Sequence, residues 1–243
     1  EAQRCQQRLI IVEGGNRPLF GRNWLREVKL NWAELFGSIH ACADVLSEYP
    51  SVFEAGLGTV TGHTASIRLQ GDPQPKCCSA RPVPYAMREK VDAELDRLER
   101  EGIIEPVQQA DWASPVVVVR KKNDTIRLCA DFKVTLNKHI EANQHPIPNP
   151  TDLLAQLSGG KTFSKLDLSQ AYAQLRLDDA SKKLCVIATH RGLYAYTRLP
   201  FGVSSAPAIW QRTIEQVLQG IPGVVVYFDD ILICGCSAQE HDQ

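Results

Sequence analysis

Two carboxylates, Asp229 and Asp230, stand side by side in V-V-V-Y-F-D-D-I-L-I-C at 224–234, inside a run of apolar strand formers. Adjacent carboxylates repel and resist burial unless something positive is bound beside them. The placement predicts a divalent-cation site. The competing reading is an Asp-rich hairpin turn, where such side chains tolerate unusual backbone angles and cap the loop. A second pair, Asp178 and Asp179 in L-R-L-D-D-A-S-K-K, fits that turn reading, because apolar residues precede it and a charged, polar run follows. Another carboxylate lies in F-S-K-L-D-L at 163–168. Period-two alternation places Phe163, Lys165 and Asp167 on one face and Leu166 and Leu168 on the other, so Asp167 should point away from buried leucines.

Positive charge is local. Arg120, Lys121, Lys122, Arg127, Lys133 and Lys138 crowd the segment 120–138 against Asp124 and Asp131, although the whole chain carries a net charge of −1. Taken alone, this run fits a solvated hairpin surface. A strand carboxylate, a carboxylate pair in a hairpin and a basic hairpin together suit phosphoryl transfer. Two Mg²⁺ ions roughly 3.5–4 Å apart need bridging carboxylates to activate the attacking oxygen and stabilise the leaving one. Asp167 and Asp229 are candidates to bridge them, with Asp230 adjoining.

The elements that must position these groups follow from periodicity and breakers. Met87, Val91, Leu95 and Leu98 recur at helical spacing, with Asp96 and Arg100 as an expected i,i+4 ion pair and Gly102 as the stop. Val116–Val119 and Ile126–Ala130 flank a polar K-K-N-D tip and predict a β-hairpin. Thr151 is placed to cap a short helix ending at Gly159–Gly160. Strand-like pieces follow at 173–177, 184–189 and 193–198, and L-P-F-G at 199–202 turns the chain. Ser205 is placed to cap a helix with Pro207 in its first turn and Trp210, Ile214, Val217 and Leu218 along one face, ended by Gly220 and Pro222. The order predicts an α+β domain with an antiparallel sheet. Residues 9–32 read as the edge of another domain, and the prolines at 73, 75, 82 and 84 as an extended connector.

Composition is that of a globular protein of one large or two smaller domains, with no apolar run long enough to span a membrane and no secretory leader. An intracellular, cytoplasmic chain with no membrane partner is expected. The eight cysteines include the close pairs Cys77–Cys78 and Cys234–Cys236, neither with C-x-x-C spacing, which points to free thiols.

Three segments, L-D-L-S-Q-A-Y at 166–172, R-L-P-F-G-V-S-S-A-P-A-I-W-Q at 198–211 and Y-F-D-D at 227–230, resemble, in order and spacing, the successive palm motifs of a reverse transcriptase. Upstream, 80–106, S-P-V-V-V-V-R-K-K at 114–122 and R-L-C-A-D-F-K at 127–133 are similar to the fingers of gypsy-class LTR retrotransposon Pol polyproteins. The resemblance implies a right-hand polymerase fold, with fingers and palm at 85–243, a linker at 28–84, and at 1–27 a C-terminal remnant of a retropepsin-like protease, P-L-F-G-R-N-W-L being like its terminal helix. The protease's own D-S/T-G triplet is absent, so protease activity is not expected of this chain.

By the same resemblance, a primer 3′-hydroxyl attacks the α-phosphate of a dNTP on an RNA or DNA template. Asp167, Asp229 and Asp230 are the catalytic triad. The implied cofactor is two Mg²⁺ ions, for which Mn²⁺ substitutes, held by those carboxylates and the Leu168 carbonyl. Arg127 and either Lys121 or Lys122 contact the nucleotide phosphates. Tyr172 is the aromatic gate against a ribose 2′-hydroxyl, its plain alternative being a core tyrosine. Phe201 and Gly202 border the dNTP, with Gly202 otherwise a turn glycine. Phe228 either packs under the primer terminus or fills the hairpin.

In the family, thumb, connection and ribonuclease H domains follow the palm. Because the sequence stops at Gln243, it is expected to lack them, to hold template weakly and salt-sensitively, and to leave a palm-sheet edge unpaired. The rival expectation is a catalytically inactive, truncated or decayed fragment that at most binds nucleic acid. A ribonuclease H-like nuclease also uses clustered carboxylates, but its own acidic set is missing.

Overall fold

The computed structural model describes residues 47–54, 56–120, 125–141 and 145–242. The chain divides into two units, 1–55 and 56–243. In the first, the described part is a short stretch containing a 3-10 turn at Pro50–Val52. The segment 1–27, expected to be a protease remnant, lies outside the described residues.

The second unit opens with extended chain. The proline-bearing stretch 71–84 is extended, but Cys77 bridges to Ala113 and Val83 is buried, so it packs as more than the connector expected from its prolines. Strand β1 (Thr64–Ala65) pairs in parallel with β6 (Arg176–Leu177), and Ala65, Ile67 and Val83 are buried in the main core. Arg198, itself buried, donates from Nη1 to Thr59 Oγ1 (2.8 Å) and ties this segment down.

Helix α1 (Tyr85–Arg100) buries the Met87, Val91, Leu95 and Leu98 stripe, and Gly102 follows it at φ +64°, the left-handed turn that glycine permits. The expected Asp96–Arg100 pair is replaced. Asp96 meets Arg191 Nη1 at 2.5 Å from another element, while Arg97 bridges Glu94 and Glu101. Beneath α1 lies a five-stranded mixed sheet in the order β2-β8-β7-β3-β4, comprising β2 (Ile104–Val107), β3 (Ser114–Arg120), β4 (Ile126–Ala130), β7 (Val186–Thr189) and β8 (Gly192–Tyr196). The basic hairpin is β3–β4, with Val119 opposite Arg127.

The second sheet is antiparallel, β5-β10-β9, with β5 (Thr162–Asp167), β9 (Val224–Tyr227) and β10 (Asp230–Gly235). Helix α2 (Pro150–Gln156) contributes Leu153 to a small cluster with Leu157 and Val225. Its cap is Asn149, whose Oδ1 accepts from the Thr151 N–H at 3.0 Å, rather than Thr151. Helix α3 (Asp179–Leu184) is capped by Asp178, which accepts from the Ser181 N–H at 2.7 Å, so that pair is the structural one expected. Helix α4 (Ala206–Val217) buries Ile209, Trp210 and Ile214 in the main core with Val226 and Ile231 of the sheet, whereas Val217 is exposed. Ser205 precedes α4 without capping it. Its backbone is already helical (φ −86°, ψ −8°), which turns the hydroxyl away from the first amides, and Oγ is left buried and unbonded. A short helix, α5 (Ala238–His241), follows β10. Among the described residues, no helix is long and apolar enough to cross a membrane.

Candidate active site

The site is made by β-register. On β5–β10, Asp230 lies directly opposite Asp167, and the Leu168 N–H donates to the Asp229 carbonyl at 2.9 Å. Antiparallel partners project to the same face, so Asp167 and Asp230 share one corner of the small sheet, and Asp229, in the turn just before β10, adjoins them. Asp167 is exposed there, as expected. Leu166 is not the buried leucine that alternation suggested. It is 43 % exposed because β5 is an edge strand, the other edge being β9.

The carboxylates differ in their surroundings. Asp230 Oδ2 lies 2.8 Å from Lys165 Nζ, a diagonal cross-strand ion pair, and that contact raises the Lys165 pKa. Asp229 has no such partner, and its Oδ1 is buried with no hydrogen bond. Burial first, then the charges of Asp167 and Asp230, push the Asp229 carboxyl above the usual carboxylate range. Three carboxylates against one ammonium leave about two negative charges, a deficit that a bound dication would cancel. Among the described residues, no three His, Cys, Asp or Glu side chains converge as a ready-made metal cage. Mg²⁺ does not need one, since it is ordinarily held by one or two carboxylates, waters and substrate phosphates.

A cleft of about 750 Å³ joins this corner to the large sheet. Asp167, Leu168 and Asp229 line it from one side and Arg127, Leu128 and Phe201 from the other. The Arg127 guanidinium sits 5.8 Å from the centroid of the Phe201 ring, within cation–π range. Tyr172, in the 3-10 turn Ala171–Gln174, is half-buried, with its ring 4.8 Å from that of Phe201 and 6.2 Å from that of Trp210. Its phenol pKa is raised by burial and then by the Asp229 charge, which puts it within electrostatic reach of the carboxylates. Lys121 and Lys122 lie outside the described residues.

Gly202 has a firm structural job. At φ +96°, a conformation that favours glycine, a Cβ would also meet the Ala130 carbonyl oxygen at 3.1 Å, a close contact that the neighbour must yield to accommodate. Asn137, which sequence reasoning missed, clamps this turn by donating to the Gly202 carbonyl (2.8 Å) and accepting from the Ser204 N–H (3.0 Å). Gly202→Ala is expected to cost about 1–3 kcal/mol of stability in urea unfolding and to shift neighbouring Phe201. A variant as stable as the parent would show that the turn relaxes freely.

Gln211 was also missed, although a signal existed. It falls at stripe spacing with Pro207, Ile214 and Leu218, a polar residue where the pattern calls for an apolar one. It is fully buried. Phe228, whose role was open, has φ +53°, its carbonyl accepts from the Trp210 indole N–H, and its ring stacks edge-on against Tyr227 at 4.5 Å.

The family model described as "Reverse transcriptase (RNA-dependent DNA polymerase)" matches residues 119–243. The chain is 42 % identical over 247 residues to "Uncharacterized protein K02A2.6" of Caenorhabditis elegans, covering 96 % of this chain and 19 % of that protein. It is 34 % identical over 236 residues to "Retrovirus-related Pol polyprotein from transposon opus" of Drosophila melanogaster, covering 93 % and 23 %. The chain thus spans about a fifth of the length of these curated relatives. Among solved structures, the native prototype foamy virus protease-reverse transcriptase superposes with a TM-score of 0.73 at 24 % identity, over 82 % of this chain and 27 % of that one. A foamy viral protease-reverse transcriptase in complex with an RNA/DNA hybrid gives 0.72 at 21 %, over 93 % and 31 %. The mixed fold with its five-stranded and three-stranded sheets is therefore that of known protease-reverse transcriptases. The match covers the basic hairpin's end, the β5 aspartate and the aspartate hairpin together, and the chain belongs to the reverse transcriptase (RNA-dependent DNA polymerase) family.

Proposed function

We propose that this chain is the fingers and palm of an RNA-directed DNA polymerase from a retrotransposon Pol polyprotein, adding nucleotides from dNTPs to a primer 3′-hydroxyl. The observation that carries the reading is the uncompensated carboxylate corner, with Asp229 Oδ1 buried and unbonded, in a cleft also lined by Arg127. Asp167 and Asp229, with the Leu168 carbonyl, would hold divalent cations, Mg²⁺ by the hardness of an all-oxygen donor set and Mn²⁺ as its substitute. Bound there, the cations supply charge stabilisation at the attacking and leaving oxygens. Asp230 keeps Lys165 at the rim and adds negative charge to the corner. Arg127, with Lys121 or Lys122, grips the nucleotide phosphates, the planar guanidinium matching two oxygens at once. Phe201 borders the nucleotide on the turn that Gly202 makes possible, and Tyr172 behind it excludes a 2′-hydroxyl.

Nucleic acid as the partner is supported by the foamy viral relatives, which were solved with an RNA/DNA hybrid and with double-stranded DNA. Gypsy-class origin is supported by the motif resemblance together with the transposon opus and 412 polyproteins among the relatives. A protease tail at 1–27 belongs to the same reading, since the foamy proteins join protease to polymerase.

The test is extension of a DNA primer on an RNA template by the purified chain at low salt, with and without Mg²⁺, and with Asp229→Asn as control. Mg²⁺-dependent extension that vanishes in the variant is the expected result. Duplex binding without extension in a folded protein would replace the polymerase reading with the nucleic-acid-binding one.

A further inference from the structure

Phe228 adopts a left-handed backbone that a bulky L residue avoids, immediately before Asp229. Two neighbouring side chains of α4 hold it there. Gln211 accepts from the Phe228 N–H through Oε1 (2.8 Å), and its Nε2 donates to the Val226 carbonyl (2.9 Å) and to Glu215 Oε1 (2.8 Å). Trp210, fully buried like Gln211, donates from Nε1 to the Phe228 carbonyl at 2.9 Å. On the far side of Asp229, its carbonyl is tied by the Leu168 N–H. The backbone on both sides of Asp229 is therefore bonded, while carboxylate oxygen Oδ1 touches no donor. A side chain without bonds of its own takes its direction from the backbone beneath it.

We infer that Gln211 and Trp210 are positioning residues for the Asp229 carboxylate, holding Phe228 in its left-handed turn so that Asp229 and Asp167 present their oxygens together to a cation. This rests on the metal reading above. A buried glutamine that served packing alone would change stability and leave cation affinity untouched. Groups that orient a ligand from behind change affinity by about 10–100-fold when removed. The strained backbone gives an independent handle, because glycine adopts positive φ without a clamp.

The experiment is a Mn²⁺ titration of the full chain, read by the electron paramagnetic resonance signal of free Mn²⁺, with thermal unfolding of each variant alongside. Asp229→Asn should abolish the site. Gln211→Leu should weaken it about 10–100-fold and Trp210→Phe, which keeps the ring in the core, should weaken it in the same direction. Adding Phe228→Gly to Gln211→Leu should recover part of the affinity without restoring the melting temperature. Unchanged affinity in folded Gln211→Leu overturns the inference while leaving the metal site standing. If Gln211→Leu does not fold, unchanged affinity in Trp210→Phe overturns it equally. Mn²⁺ binding that is absent in the parent, or equal in Asp229→Asn, overturns the metal reading and the inference with it.

Discussion

Asp229→Asn is expected to slow nucleotide addition about a thousandfold or more, equivalent to roughly 4 kcal/mol or more of lost transition-state stabilisation. The substitution keeps the shape of the side chain and removes the charge that no neighbouring donor satisfies. The same variant should make the metal-free protein more stable at neutral pH, by about 0.5–2 kcal/mol. The sign follows from the raised Asp229 pKa, caused by burial and then by Asp167 and Asp230. Between the ordinary carboxylate pKa and the raised one, the folded state binds more protons than the unfolded, so stability falls as pH rises through that window. Above it the cost of the charged form is fully present, and asparagine does not incur it. Thermal melts of both proteins in chelator from pH 4 to 8 check this. Parallel pH profiles would show that Asp229 is not the strained carboxylate.

The second large effect is on sugar choice. Tyr172→Ala is expected to raise ribonucleotide incorporation relative to deoxyribonucleotide by about a hundredfold, the scale on which a packed apolar wall discriminates one hydroxyl. The ring is held by Phe201 at 4.8 Å and Trp210 at 6.2 Å, so it is a braced obstacle rather than a loose one. Competition between rNTP and dNTP at one template position measures the ratio. An unchanged ratio in an active variant would return Tyr172 to the core.

Much of this architecture was legible because it rests on short-range rules. The α1 stripe, the β3–β4 hairpin, the structural role of the Asp178–Asp179 pair and the glycine stop at Gly102 follow from periodicity and local bonding. Misreadings arose where a residue's partner lies far away in sequence. Asp96 bonds Arg191 instead of its helix neighbour, and the proline stretch 71–84 stays extended yet bridges through Cys77 to Ala113. Leu166 alternates correctly, but alternation says nothing about which strand stands at a sheet edge. At the site, motif order singled out aspartates that the fold brings close together, whereas the clamps by Asn137 and Gln211 are side-chain bonds to remote backbone. Spacing marks Gln211 as a polar residue in an apolar stripe, but no spacing rule names the backbone that either side chain bonds.

The pairing of β5 with β10 also has a temporal side. The two strands are separated in sequence by four other strands and two helices, so their contact closes a long loop and belongs to the slow, non-local part of folding. Neither Asp167 nor Asp229 has a complete site until that closure is made. During synthesis, the β3–β4 hairpin and α1 can be native-like before the carboxylate corner exists. Conversely, transient detachment of β10 would take the carboxylate corner apart reversibly, well short of global unfolding.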